Sequence, residues 1–404
     1  MKPTRVRHIC VLILLLSIAP ISVHKSIAQN VAEDSSKVSI RYTNKGFQLK
    51  TADDKFLLHL ESRLQFRFAT PGDQNPLTLD DLETDKSVFK INRARVKVGG
   101  HAFDPDLTYY WEYELAQGNL LDFRIMYHFL DELNLKVGQW KTFYNRERVI
   151  SSGKQQLADR SIITRPFTVD RQQGISLFGR IFPETLADIT YHLSVLTGSG
   201  RGNFENDDDD FMYVGRFQWN FLGRELGMIS SDLEGHEKPV ALIALAGLTN
   251  RSPYTRFSQS GGGQLIGFED GVEGQYRINQ GLIETAFMYK GFSWQNEFHL
   301  KEIEDRVNNQ TTTLLGSYYQ AGYFFNHLWD KIPKPLELAA RYARFTPDDS
   351  LPDNFEEEYT VGLNWFFKGH RNKLTAEVSV FDFKTDVDEF ESRTRFRVQW
   401  DISF

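Results

Sequence analysis

The residues from Glu391 to Phe404 alternate without a break. Thr394, Phe396, Val398, Trp400, Ile402 and Phe404 fall on one face of an extended chain, and Arg393, Arg395, Arg397, Gln399 and Asp401 fall on the other. One face is apolar, the other is charged, and the run closes on an aromatic residue. A strand with such faces needs lipid on one side and water on the other. A transmembrane barrel supplies both environments, because its outer face meets the bilayer and its inner face lines a lumen.

The N-terminus is consistent with export. Lys2, Arg5 and Arg7 precede an apolar run from Ile9 to Ala19, and Ser26-Ile27-Ala28 offers a small-x-small cleavage site. Residues 1–28 therefore read as a secretory signal peptide. The apolar run is far shorter than the ~20 residues of a spanning helix. Cys10 lies ahead of the cleavage site, where a lipid-bearing cysteine would not be, and it is the only cysteine of the chain. The mature chain thus has no disulfide to rely on, which points to a large hydrogen-bonded framework.

Cleavage removes four basic and no acidic side chains, leaving 43 Lys and Arg against 54 Asp and Glu, a net of −11. That balance speaks against nucleic-acid binding. No mature segment reaches 18 apolar residues in a row, which excludes a helical membrane protein. An aromatic content of 14% suits the interfacial girdles of a barrel.

Residues 29–50 are read as a periplasmic lead-in and 51–404 as the barrel, an all-β, antiparallel transmembrane fold with an aqueous lumen. Sixteen strands are predicted, at 56–68, 88–103, 107–116, 120–129, 133–141, 171–182, 186–198, 211–221, 240–250, 280–290, 292–303, 313–325, 336–346, 357–367, 373–383 and 392–404. Long and short connections largely alternate between them, the asymmetry expected when one set faces the outside and the other the periplasm. The short 117–119 and the long 222–239 fit that alternation less well. Sixteen strands enclose a channel rather than a lumen filled by side chains, and closure satisfies every backbone group in lipid.

Closing the barrel brings its first, second and last strands together. Arg63, Arg67, Arg93, Arg95, Lys97, Arg393, Arg395 and Arg397 then share one lumenal wall. Inward positions two residues apart are about 6.6 Å apart, so an anion could pass from one cation to the next. The opposing reading is that Glu61, Glu112 and Glu114 pair with these cations and cancel much of their field. The connection 142–170 is too long for a turn and carries Lys154, Arg160 and Arg165, with Arg171 just after it. Folded inward, it would narrow the channel and select for anions; folded outward, it would be a solvated loop.

Asn206 to Asp210 is read as a solvated acidic loop rather than a metal site, because Ca²⁺ needs six or more converging oxygens. No G-x-S-x-G, H-E-x-x-H or P-loop motif occurs, and His59, His128, His192 and His299, expected to face the lumen, form no recognisable Ser/His/Asp grouping. The chain therefore reads as neither an enzyme nor a cofactor carrier.

Several short stretches resemble the phosphate-selective porin O and P family: Ile91-Asn92-Arg93-Ala94-Arg95 with Gly99-Gly100, Leu135 to Lys141, Ala158 to Ser161, Val169 to Gly174 and Leu196 to Gly200. Leu338 to Tyr342, Gly362 to Phe366 and Arg393 to Phe396 continue the resemblance, which spans about residues 56–404. The sequence departs from the family at Ala158-Asp159, where an aromatic-rich segment ending in Glu-Arg is more usual.

The resemblance implies a homotrimeric porin in the outer membrane of a Gram-negative bacterium, conducting small anionic solutes such as phosphate. It also implies that Trp400, Ile402 and Phe404 form the signal read by the barrel-assembly machinery. A general or a sugar- or carboxylate-preferring porin stays open as an alternative. So do, from other classes, an outer-membrane hydrolase and a non-conducting surface barrel.

Overall fold

The computed structural model describes residues 37–83, 85–203, 205–258, 262–385 and 389–404. The expected signal peptide 1–28, its cleavage site, Cys10 and residues 29–36 of the expected lead-in lie outside the described residues.

β1 (Val38–Thr43) and β2 (Gly46–Thr51) form a hairpin ahead of the barrel. The barrel begins with β3 (Phe56–Thr70), β4 (Val88–Ala102), β5 (Asp104–Glu114), β6 (Asn119–Leu130) and β7 (Leu133–Lys141). It continues with β8 (Arg171–Ile181), β9 (Ile189–Leu196), β10 (Met212–Trp219), β11 (Val240–Ser252), β12 (Tyr276–Tyr289) and β13 (Phe292–Asp305). β14 (Gln310–Tyr323), β15 (Leu336–Thr346), β16 (Phe355–Phe366), β17 (Asn372–Lys384) and β18 (Phe390–Ser403) complete it. Each strand pairs antiparallel with the next, and β18 returns to β3 from Phe396↔Thr70 to Ser403↔Arg63. The backbones of Ser62 and Phe404 then exchange two further hydrogen bonds, of 2.8 and 2.9 Å. The result is a closed sixteen-stranded antiparallel barrel.

Burial runs opposite to hydropathy, as a lipid-facing exterior demands. Phe66 and Trp400 are each 47% exposed, whereas Arg67 and Arg397 on the inward face are each 1% exposed. A continuous aromatic row, Trp294, Tyr319, Tyr342 and Tyr359, crosses β13 to β16 on the outside. No helix among the described residues is long and apolar enough to cross a membrane. The three α-helices among the described residues are single turns, α1 (Leu79–Leu82), α2 (Arg146–Val149) and α3 (Thr164–Phe167).

All sixteen predicted strands are present, with shifted ends. β12 starts at Tyr276 rather than 280 and β14 at Gln310 rather than 313, because backbone pairing continues past the apolar stretch that marks the bilayer. β9 starts at Ile189 rather than 186, because Asp188 is held by the Arg180 guanidinium and closes a wider turn. The hairpin β1–β2 is an element the sequence reading lacks, although Val38, Ile40 and Tyr42 alternate with Ser39, Arg41 and Thr43. β2 pairs with β3 from Phe47↔Leu60 to Lys50↔Leu57, covering the part of the β3 edge that β18 does not reach.

The ends of the barrel differ. One end carries both termini of the described barrel and mostly tight turns, such as Lys290-Gly291; the other carries the long connections 71–87, 142–170, 197–211 and 253–275. The longest exception at the first end, 220–239, turns into the lumen. There the carbonyls of Gly227 and Ile229 each accept a 2.7 Å hydrogen bond from Arg146 Nη2, and Ser231 Oγ donates to Glu337 at 3.0 Å.

Candidate functional site

The connection 142–170 crosses the inside of the barrel, and the strands β12 to β17 are built to receive it. Five inward glutamates, buried among the strands, take its donors. Glu284 accepts the Arg146 N–H at 3.0 Å, Glu297 the Glu147 N–H at 2.7 Å, and Glu337 the Gln156 amide at 2.6 Å. Glu377 accepts the Ala158 N–H at 2.7 Å and Glu358 the Ile162 N–H at 3.0 Å. Hydrogen bonds to charged groups contribute about 1.5–3 kcal/mol each, so the set fixes one loop path.

Packing completes the docking. Phe167, Ile162 and Ile163 pack with Leu314, Tyr318, Ala343 and Phe345, where the inward columns of β14 and β15 turn apolar towards the long-loop end. Inward glycines provide the slots. A Cβ on Gly316 would lie 2.2 Å from the Phe167 ring, one on Gly322 1.9 Å from the Gln156 amide, and one on Gly362 2.6 Å from Leu157.

The loop leaves space on either side of itself. A cavity of about 760 Å³ opens at the long-loop end and one of about 810 Å³ at the terminal end. They share no lining residue. Arg93 lines the first and Arg95, the next inward position of β4, lines the second; Arg148 and Val149 divide in the same way. The junction between the cavities therefore lies between β4 and α2.

The eight expected wall cations are on this wall, and most are tied. Arg63 pairs with Asp401 at 2.5 Å, Lys97 with Glu61 at 2.5 Å, and Arg397 with Glu377 at 2.5 Å. Arg95 pairs with Glu112 at 2.7 Å and Glu114 at 2.8 Å. Arg67 meets Asp73 at 2.9 Å and Asp159 at 3.1 Å. Arg395 donates to the carbonyls of Asp73 and Gln74, and Arg393, at the long-loop mouth, to those of Asp81 and Leu82. Arg93 is the exception: it donates to Gln65, and its nearest carboxylate oxygen, on Asp159, is 3.9 Å away. Pairing of Glu61, Glu112 and Glu114 thus removes much of the bare ladder that the strand pattern suggested.

The four loop candidates separate. Arg160 stands at the junction, where its guanidinium donates to the carbonyls of Glu147, Arg148 and Ile150 and has no carboxylate within 4.0 Å among the described residues, while its backbone N–H donates to Asp159 at 3.1 Å. Arg165 lines the long-loop cavity and Lys154 the terminal-end cavity. Arg171 is buried in the wall against Asp122 at 2.5 Å. Sequence reasoning gave no special weight to Lys141 and Arg148. Lys141 donates to the Arg148 carbonyl at 3.3 Å with no carboxylate within 4.0 Å among the described residues, and Arg148 pairs with Asp170.

Electrostatics at the junction follow from this crowding. Burial, then Arg148 and Arg93, push Arg160 down to about 9, so it stays charged at neutral pH. Burial raises the Asp159 carboxyl, but Arg67, Arg93, Arg397 and Arg160 outweigh it and hold the group well below the usual carboxylate range. Asp159 and Asp170 are thus outnumbered by the cations around them, Arg67 and Arg93 at the first and Arg148 and Arg171 at the second, with Arg160 and Lys141 beside them.

The other singled-out groups are structural in placement. His299 bonds Glu297 at 2.8 Å, and His192 is stacked between Phe143 and Phe178. In the acidic run, the Arg251 guanidinium sits among Asp208, Asp209 and Asp210, where a metal ion would have to sit. Trp400 points outward and donates to Asn372 at 2.9 Å, Ile402 lies beside it in the same outward column, and Phe404 is 46% exposed.

A closed sixteen-stranded barrel with an apolar exterior, a charged interior and a loop dividing its lumen defines an outer-membrane channel of the porin class. The family model for phosphate-selective porin O and P matches residues 65–220 and 271–394, and the chain belongs to that family. Among solved structures it is similar to the outer membrane channel DcaP of Acinetobacter baumannii, at 11% identity and TM-score 0.58 over 88% of this chain and 99% of that one. It is also similar to an anion-selective porin from Comamonas acidovorans, at 9% identity and TM-score 0.55 over 86% and 99% of the two chains. OmpT of Vibrio cholerae aligns at 11% identity and TM-score 0.55, over 87% and 98%. No curated protein sequence matches. The protein is an outer-membrane porin, a passive diffusion channel for small hydrophilic solutes.

Proposed function

We propose that this porin prefers anions and passes phosphate. The observation that carries the reading is the junction itself. Arg93, Lys141, Arg148 and Arg160 converge there, and the side-chain nitrogens of Lys141 and Arg160 meet no carboxylate within 4.0 Å among the described residues. A constriction bounded by unneutralised cations lowers the energy of an anion and raises that of a cation. The net of −11 for the mature chain does not oppose this, because selectivity is set by the local field at the narrowest point and distant exposed charges are screened over about 10 Å at ordinary salt.

Export by residues 1–28, assembly as a homotrimer and insertion through the terminal Trp400, Ile402 and Phe404 belong to the same proposal. A solved neighbour of this fold, OmpT of Vibrio cholerae, is described as a trimer form. Single-channel recording in a planar bilayer tests the function. The expected result is a chloride-selective reversal potential and a current reduced by added phosphate. Cation selectivity would contradict the anion reading, and a closed, silent barrel would favour the non-conducting alternative.

A further inference from the structure

The long-loop cavity is not lined as a path for inorganic phosphate alone needs to be. Its floor carries Arg93, Arg148 and Arg160, but Leu77, Leu79, Ile266 and Phe268 line it from two separate loops. Ile266 is 56% exposed, and Leu77, Leu79 and Phe268 are half-buried. Apolar side chains held open to a water-filled lumen cost free energy unless an apolar group covers them.

Beside this apolar lining stand two further cations. Among the described residues the Arg165 side chain makes no hydrogen bond and no ion pair within 4.0 Å, and the Arg256 guanidinium bonds only Gln264 and Ser258. Burial lowers the Arg256 guanidinium and Arg165 lowers it further, so the two lie close enough to repel. Glu356 lines the same cavity and attracts Arg165 without forming an ion pair within 4.0 Å, so the two guanidiniums keep donors free for one shared anionic head group.

We propose that the cavity is a binding site for amphipathic organic anions, in which a carboxylate or phosphate head is shared by Arg165 and Arg256 and an aromatic or alkyl body covers Leu77, Leu79, Ile266 and Phe268. The volume of about 760 Å³ is ample for such a solute. The site lies before the junction, so it would concentrate these solutes at the entrance. This deepens the anion-channel reading and rests on it.

The test compares probes with the same head group. Phenylphosphate and inorganic phosphate are titrated against the chloride current of the full channel in a planar bilayer, and the reversal potential is read in the same membranes. The expected result is block by phenylphosphate at a concentration at least tenfold lower than by phosphate. Ile266→Ser with Leu79→Ser should shrink that difference to less than threefold. Arg165→Gln with Arg256→Gln should weaken block by phenylphosphate at least tenfold while leaving the reversal potential chloride-selective. Equal block by the two probes in a chloride-selective wild-type channel would overturn this inference and leave the anion reading standing. A reversal potential without anion preference would remove the anion reading and this inference with it.

Discussion

Glu377 on β17 accepts the backbone N–H of Ala158 at 2.7 Å and pairs with Arg397 on β18 at 2.5 Å. One carboxylate therefore holds both the wall and the loop that crosses the lumen. Glu377→Ala leaves Arg397 buried without its charge partner, a loss of about 3–5 kcal/mol. Urea denaturation of the purified channel should show it, and single-channel conductance should rise as the loop loosens. An unchanged conductance would show that this anchor does not set the width of the passage.

The glycine slots predict a second effect. Gly316→Val would drive a side chain into the Phe167 ring, which already stands 2.2 Å from where a Cβ would be. Overpacking of this kind costs about 1–3 kcal/mol. The thermal midpoint of the folded barrel should fall, and Gly316→Val with Phe167→Ala should recover part of the loss. No recovery would show that the two residues do not compete for the same space.

Titration of the junction has a definite sign. Arg160 sits at about 9, so its charge is lost as pH rises through that value, and anion preference should decline between roughly pH 8 and 10. Asp159 and Asp170 are held below the usual carboxylate range, so they stay ionised through it and are protonated only in stronger acid. Reversal potentials should therefore be flat from about pH 8 to pH 5. The stabilisation from these two carboxylates is present above the unfolded carboxylate value and lost only as pH falls through their lowered values. The alkaline decline should be smaller in Arg160→Gln.

Much of this architecture was legible because a barrel strand has a period of two and nothing else competes with it. Phe396, Val398 and Trp400 face out and Arg395, Arg397 and Gln399 face in, as alternation alone requires. Of the partners of the inward charges, Glu61, Glu112 and Glu114 were legible and the others were not. That Arg63 meets Asp401 depends on the closing register of β18 on β3, and that Arg67 meets Asp159 depends on the path of a loop ninety residues further on. The five glutamates that dock the loop were not singled out, because four of them take backbone N–H groups of the loop and leave no mark in the sequence. Gly316, Gly322 and Gly362, inward glycines inside strands, were the one available sign that something bulky comes close. Arg95 is the case where the opposing reading holds: alternation puts it beside Arg93, but Glu112 and Glu114, its candidate partners from the sequence, neutralise it.

That contrast supplies the most direct test of the central claim, that the unneutralised cations of the junction set selectivity. The measurement is the reversal potential under a potassium chloride gradient for the wild type, for Arg93→Glu with Lys141→Gln, and for Arg95→Gln. The account predicts chloride selectivity in the wild type, a shift to potassium selectivity in the double variant, and chloride selectivity kept in Arg95→Gln. A folded, conducting double variant with the wild-type reversal potential would contradict it.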